Sequence, residues 1–206
     1  MTRAPGLKRV AGVLACGAYS LPGFRVKTNQ VRIIGGQWRS RVLRFPGAPS
    51  LRPTPDRLRE TLFNWLGQDL TSKTCLDLFA GSGALGFEAA SRGARQVVMV
   101  EQEMDVYRAL QTTQALLCAH QVEMHRADAI RFLQNDARRY DIIFLDPPFH
   151  HGWLPRLLPL LPGRLTDDAC VYLEADEEVA MPAKFNVLKQ TRAGRVHGLL
   201  IKYRQS

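Results

Sequence analysis

The sequence predicts an α/β fold with a mostly parallel sheet covered on both faces, preceded by a small basic β-hairpin and helix. Three observations carry this prediction. From Thr74 onward, short apolar runs alternate with helical patterns. One run, Ile142-Ile143-Phe144-Leu145, is continuously apolar, as in a strand buried on both faces of a parallel sheet. The turn after the first run, Ala80-Gly81-Ser82-Gly83-Ala84-Leu85-Gly86, contains G-x-G-x-x-G, which joins a strand to a helix over a ligand. The 206 residues, 46% of them hydrophobic, suffice for one sizeable domain with a modest appendage and exclude a disordered chain.

Charge divides the chain. Residues 1–60 hold twelve Lys/Arg against Asp56 and Glu60, whereas the rest holds sixteen basic against seventeen acidic residues. A basic front on a neutral body suits capture of a polyanion such as nucleic acid. Cys16, Cys75, Cys118 and Cys170 are far apart and form no C-x-x-C pair, so neither a metal site nor a disulfide framework is expected and a cytoplasmic setting fits. Lys8-Arg9 followed by residues 10–21 faintly imitates a signal peptide, but Gly12 and Gly17 break the run. Residues 1–29 read instead as a loosely ordered basic extension, or as the product of an upstream start codon. No run approaches the roughly 20 apolar residues of a membrane span.

Residues 30–45 predict a basic hairpin, with Val31, Ile33 and Ile34 leading into a turn at Gly35-Gly36. Arg32, Arg39, Arg41 and Arg44 surround Trp38; arginines with an aromatic can hold phosphates and stack on a base, although packing is the favoured role for Trp38. Arg52 joins this RNA-facing set. Residues 54–66 predict a helix with Thr54 as N-cap, Pro55 at the first position and Asp56 at the positive end of the dipole. Leu58, Leu62, Trp65 and Leu66 share one face, away from Arg57 and Glu60, and are expected to dock the hairpin onto the body. Residues 30–68 thus form the appendage and residues 69–206 the main domain.

Within that domain, residues 74–79 are the first strand and residues 84–91 the helix after the glycine loop. The second strand, 96–100, ends at Glu101, close to the spacing at which an acid holds ribose hydroxyls. An amphipathic helix at 104–119 turns Val106, Leu110 and Leu117 inward, and a third strand, 122–125, leads to Ala127-Asp128-Ala129. Asp128 there could accept from an adenine amine. The Tyr140–Leu145 run follows, then a helix near 154–161 broken by prolines, a strand at 169–174, and an antiparallel pair at 185–188 and 196–203 across Ala193-Gly194.

The chemistry is concentrated at Asp146-Pro147-Pro148-Phe149. Two prolines remove two N–H donors and stop the ladder, which leaves a carboxylate, a carbonyl and a ring at the strand's carboxyl end, where open α/β sheets bind ligands. A carboxylate and a carbonyl can both accept from an –NH2 group while the ring lies against a flat base. Chemistry on an amine of a planar heterocycle follows. The glycine motif alone fits a nicotinamide dinucleotide equally well. Asp77, inside the strand end of Asp77-Leu78-Phe79-Ala80-Gly81-Ser82-Gly83, and the DPPF run, which has no role in hydride transfer, favour S-adenosylmethionine instead.

Residues 31–204 resemble the bacterial methyltransferases that modify the exocyclic N2 amine of one guanine in 16S ribosomal RNA. The resemblance rests on RIIGGQWRSR at 32–41, LRPTPDRLRETLFNWL at 51–66, DLFAGSGALGFEAASRGA at 77–94 and DPPF at 146–149. It implies a class I S-adenosylmethionine-dependent methyltransferase (Rossmann-like) fold, with seven strands and a reversed final hairpin. It also implies S-adenosylmethionine as donor, with Gly81, Ser82 and Gly83 along its amino-acid moiety, Glu101 on its ribose and Asp128 with Ala129 beside its adenine. Asp77 and Phe79 complete that set, and Asp146 and Phe149 face the guanine, with Pro147 and Pro148 between them in the catalytic set. The implied partner is 16S rRNA, naked or within an assembling small subunit, bound by a monomer. His150-His151 departs from relatives, which often carry Lys or Arg there, and is assigned to a solvated loop. Rival readings are a DNA adenine or protein glutamine methyltransferase, an NAD-dependent oxidoreductase and a non-catalytic RNA chaperone.

Overall fold

The computed structural model describes residues 28–47, 54–149 and 152–204. Residues 1–27, with Cys16, and Arg52, His150 and His151 lie outside them. Among the described residues, nine strands form two sheets. The first sheet is a hairpin of β1 (Thr28–Arg32) and β2 (Val42–Pro46), antiparallel with Gln30 opposite Arg44. The second has seven strands: β3 (Thr74–Asp77), β4 (Gln96–Glu101), β5 (Val122–Arg126), β6 (Tyr140–Leu145), β7 (Leu165–Ala175), β8 (Phe185–Ala193) and β9 (Val196–Tyr203). Their spatial order is β5-β4-β3-β6-β7-β9-β8. The first five are parallel, and β9 runs against both β7 and β8. The order reverses between β3 and β6, the position at which such sheets open a ligand crevice.

The strands alternate strictly between two apolar layers. Cys75, Val97, Met99, Ile142, Phe144, Tyr172 and Leu200 face one layer. It is covered by α1 (Asp56–Leu66), α2 (Ala84–Ser91), α3 (Met104–Leu117) and the hairpin. Leu76, Val98, Val100, Ile143, Leu145, Val171, Leu173 and Ile201 face the other. There α4 (Ala129–Asn135), α5 (Trp153–Leu157) and two short 3₁₀ turns close the core.

Several local expectations change. The Gly35-Gly36 pair lies in the hairpin's connection, where Gly36 accepts Arg39 N–H at 3.2 Å, but it is not a tight two-residue turn, since the strands stop at Arg32 and resume at Val42. The pair instead lets the chain run against the end of α2. A Cβ on Gly36, at φ 74°, would sit 1.9 Å from the Ser91 carbonyl oxygen. Gln37 N–H donates to that oxygen at 2.8 Å, and the Ser91 hydroxyl donates to the Gly35 carbonyl at 2.6 Å. The hairpin therefore docks directly. Val31, Ile33, Leu43 and Phe45 are buried in the same cluster as the sheet, each worth about 1.5–3 kcal/mol. The helix α1 does not carry the hairpin alone; it packs on β8 and β9, with Phe63 against Phe144 at 6.1 Å.

Thr54 makes no capping bond, and Pro55 is the cap residue rather than the first helical one. The strand expected over 74–79 ends at Asp77, so Phe79 lies in the turn. The helix α4 has no forerunner in the pattern of Ala127-Asp128-Ala129. The helix expected over 154–161 ends at Leu157 and continues only as 3₁₀ turns, because Pro159 and Pro162 withhold the N–H donors it needs.

Candidate active site

At the reversal of strand order, the glycine loop and the end of β6 lie side by side. Leu78 N–H donates to the Phe144 carbonyl at 3.2 Å, and Ala80 N–H to Val100 at 2.9 Å, which ties the loop to both neighbouring strands. Gly81 and Gly83 hold φ of 48° and 77°. At Gly83 a Cβ would lie 2.5 Å from the Phe87 ring and 2.8 Å from Leu110, so only glycine turns the chain there. Gly86 lets α2 approach β4, since a Cβ would meet Met99 at 2.9 Å.

The acids predicted around this loop are all engaged by backbone. Glu101 accepts Gly81 N–H at 2.9 Å on Oε2 and Glu103 N–H at 2.7 Å on Oε1. Burial raises its carboxyl above the ordinary range against those bonds. Asp128 caps α4, accepting Arg131 N–H at 3.0 Å on Oδ1, with Ala129 buried beside it. Asp77 is 1% exposed and accepts Gly86 N–H at 2.9 Å on Oδ2. Its Oδ1 is buried with no hydrogen-bond partner among the described residues, and burial pushes its carboxyl up to about 7. A buried acceptor with nothing to accept suits a cationic ligand group. That acceptor, beside the glycine loop, fits the ammonium at the amino-acid end of S-adenosylmethionine.

The DPPF run sits at the mouth. Pro147 is buried, Asp146 and Phe149 are half-buried, and Pro148 is exposed. Asp146 Oδ2 accepts the hydroxyl of Thr54 at 3.2 Å. Burial holds the Asp146 carboxyl above the usual carboxylate range. Four contributors escape a reading of the sequence alone. Thr54 reaches Asp146 across 92 positions. Tyr172 donates to Glu174 at 3.0 Å behind it. Trp153 stands edge-on to Phe79 at 5.2 Å, and its indole N–H is buried without a partner among the described residues. Only the strand periodicity offers a signal, since it places Asp146 and Glu174 on one face.

Arg32, Arg39, Arg41 and Arg44 are all exposed on the hairpin, and Trp38 is packed against the core cluster. The hairpin is clamped to the loop helix through Glu88, which is fully buried. Glu88 accepts Ile34 N–H at 2.7 Å, Gly35 N–H at 2.8 Å and Arg92 Nε–H at 2.8 Å. Arg59, equally buried, lies 3.7 Å from Glu88 and donates to Asp56 at 2.6 Å and to the Arg32 carbonyl at 2.9 Å.

Comparison with known proteins agrees with this architecture. The family model described as "Conserved hypothetical protein 95" matches residues 31–202. The ribosomal RNA small subunit methyltransferase D of Escherichia coli strain K12 is 42% identical over 174 residues, covering 82% of this chain and 88% of that protein. The protein of the same name from Haemophilus influenzae is 39% identical over 176 residues, covering 82% and 91%. A solved Escherichia coli structure superposes with TM-score 0.78 at 40% identity, covering 86% of this chain and 100% of that one. The precorrin-6y C5,15-methyltransferase of Geobacter metallireducens, 15% identical with TM-score 0.59 over 78% and 94%, shares the fold.

Proposed function

The chain belongs to the conserved hypothetical protein 95 family, with the ribosomal RNA small subunit methyltransferases D among its relatives, and we propose that it methylates the exocyclic N2 amine of a guanine in 16S rRNA. The observation that carries this reading is Asp146-Pro147-Pro148-Phe149 at the end of β6, directly beside the glycine loop at the sheet's reversal point. S-adenosylmethionine, when bound, supplies a methyl already activated by a positively charged sulfur. Gly81, Ser82, Gly83 and Asp77 would hold its amino-acid end, Glu101 its ribose, and Asp128, Ala129 and Phe79 the adenine side.

The chain's own work is then orientation. An aromatic amine is a poor nucleophile because its lone pair is delocalised into the ring. Asp146 Oδ1 and the Pro147 carbonyl accept its two N–H groups, which turns the lone pair outward and stabilises the positive charge growing on nitrogen. Phe149 lies on the base, worth about 1–3 kcal/mol as in single-strand readers. Asp146 takes the proton that the nitrogen must lose. In-line placement of the reacting groups can contribute about 7–11 kcal/mol, so neither a nucleophilic side chain nor a metal is needed. The exposed arginines of the hairpin and Arg52 supply phosphate contacts, and a looped-out guanine offers its edge without opening a long duplex.

The test is transfer of labelled methyl from S-adenosylmethionine to small-subunit rRNA, naked and in assembling particles, followed by nucleoside mapping. N2-methylguanosine at one position is the expected product. Label in DNA adenine or in a protein glutamine instead would overturn the reading.

A further inference from the structure

Asp146 and the hairpin's Arg39 and Arg41 lie toward opposite ends of the sheet. The segment leading into β3 is bonded to the chain just after α2: Leu70 N–H donates to the Arg92 carbonyl at 2.9 Å, and Arg95 N–H to the Lys73 carbonyl at 2.9 Å. The end of α2 is therefore at the amino edge of the parallel strands. Trp38 N–H donates there to Ser91 Oγ at 2.9 Å, which sets the neighbouring Arg39 near the same edge. The eight residues of α2 separate that point from the glycine loop by about 12 Å. Asp146 follows β6 at the carboxyl edge, so phosphates next to a base held there need other cations.

The reversal of β9 brings them. Because β9 runs against β7, with His197 opposite Ala175, the β8–β9 turn emerges at the carboxyl edge, level with the residues that follow Asp146. Ala193 pairs with Val196, so Gly194 and Arg195 alone make the turn. Gly194 holds φ 61° at its first position, as a type II′ hairpin requires, and Arg195 stands at the tip. Arg195 is exposed, and its side chain makes no hydrogen bond or ion pair among the described residues. Arg192, also exposed, donates Nε–H to the Gly194 carbonyl at 2.8 Å, which holds its guanidinium over the turn. The turn is two to three strands from β6, roughly 10–15 Å.

The helix α1 packs on the same two strands, and the Thr54 hydroxyl donates to Asp146 at 3.2 Å, so the first turn of α1 opens on this edge too. Arg57 is exposed there, and its neighbour Asp56 is taken up by Arg59 at 2.6 Å. Acids at this edge lead away: the segment after β7, with Glu177 and Glu178, leaves over the layer opposite α1, where Val179 and Met181 pack.

We propose, resting on the rRNA-methylation reading, that Arg192, Arg195 and Arg57 form a second RNA-binding surface, which holds the phosphates flanking the target guanine. Guanidinium forks match phosphate oxygens and stay charged at any physiological pH. A two-residue turn presents them with little left to order on binding. The hairpin arginines hold the RNA at a distance from the base, and the turn fixes the strand beside it.

The experiment compares Arg192→Glu/Arg195→Glu and Arg57→Glu with Lys184→Glu/Arg204→Glu in the full chain. The last pair is an equal charge change at the far end of the same two strands, where Arg204 N–H donates to the Lys184 carbonyl at 2.8 Å and both side chains are exposed. Binding of transcribed 16S rRNA is titrated against salt with S-adenosylhomocysteine present. The turn variant should bind about tenfold more weakly at low salt and flatten the slope of log affinity against log salt by roughly two, and Arg57→Glu should flatten it by roughly one. Arg192→Gln/Arg195→Gln should flatten the slope as much without adding repulsion. The Kd for S-adenosylmethionine should not change, and the far-end pair should match the wild type. In hydroxyl-radical footprints, the turn variant and Arg39→Glu/Arg41→Glu should lose protection at different nucleotides. A wild-type slope in the turn variant, an equal loss in the far-end pair, or loss at the same nucleotides overturns the proposal. A wild type that binds but does not methylate rRNA defeats the proposed function alone, since the titration needs no turnover; one that does not bind rRNA overturns both.

Discussion

Two buried clusters of charge, one at the hairpin junction and one at the mouth of the site, are built on opposite rules. Glu88 faces two cations, Arg59 and Arg92, and two backbone N–H groups, so each charge near the junction finds an opposite. Asp77, Asp146 and Glu174 make no ion pair among the described residues and accept neutral donors, from Gly86, Thr54 and Tyr172 in turn. The first arrangement fixes one part of the chain on another. The second keeps carboxyls under strain and short of partners, the condition in which a ligand or substrate proton is welcome. At the junction charge meets opposite charge, even though Arg59 Nε and Nη1 make no hydrogen bond among the described residues, whereas the acids of the site make no ion pair.

The largest effect that could break this contrast is at Asp146. Asp146→Ala should lower methyl transfer by about 10²–10⁴-fold, the range for a lost acceptor and proton-taking group, with cofactor binding kept. Its melting temperature should hold or rise, because a poorly compensated acid is removed. Near-normal turnover in the labelled-methyl assay would take Asp146 out of the chemistry.

The junction should respond in the opposite sense. Arg59→Met leaves Glu88 with less compensation and frees the Arg32 carbonyl, and should cost about 3–5 kcal/mol by urea unfolding. Turnover per folded molecule should change only a few-fold. A cost below about 1 kcal/mol would show that Arg92 and the backbone donors satisfy Glu88 unaided.

Asp77 sharpens the comparison through pH. Its folded-state carboxyl is raised from 3.8 to about 7. A raised acid binds its proton more tightly when folded, so its stabilising share is complete below the unfolded value and is lost as pH rises through about 4 to 7. Every tenfold gain in the grip on that proton corresponds to about 1.4 kcal/mol. Asp77→Asn does not ionise, so it should exceed the wild type in stability at pH 8 by up to a few kcal/mol and converge with it near pH 4. Equal pH dependence of the two proteins in thermal melts would remove Asp77 from the strained cluster.

What can be seen in the sequence is what is local along the chain. The bounds of α2, the β4 strand ending at Glu101 and the DPPF stop are visible because periodicity, glycine and proline act within a few residues. The helix α4 escapes because its seven residues are too short to show a period. Arg59 beside Glu60, and Glu88 in the helix after the loop, look like ordinary helix-surface charges; their burial depends on partners 27 and 53 or 54 residues away. Gly35-Gly36 shows that a backbone needs room, but not that Ser91 fills it. Glu174 is recoverable: period two places it, Tyr172 and Asp146 on one side once β6 and β7 are paired, and only the register is missing.

The smallest expected effect separates buried arginine from exposed arginine. Arg39 and Arg41 are exposed and make no ion pair among the described residues, so reversing both to Glu should leave stability within about 0.5 kcal/mol, unlike Arg59. Their charge is free to meet phosphate. Each lost phosphate contact lowers the slope of log affinity against log salt by close to one, so the double reversal should flatten that slope by roughly two. KM for RNA should rise several-fold at low salt and converge with the wild type at high salt, with kcat unchanged, because neither residue reaches the reacting amine. Neutral Gln at both positions should give the same slope with a smaller rise in KM, since it removes attraction without adding repulsion. An unchanged slope would mean that the hairpin's charge is solvated surface, and that RNA is held elsewhere on the molecule.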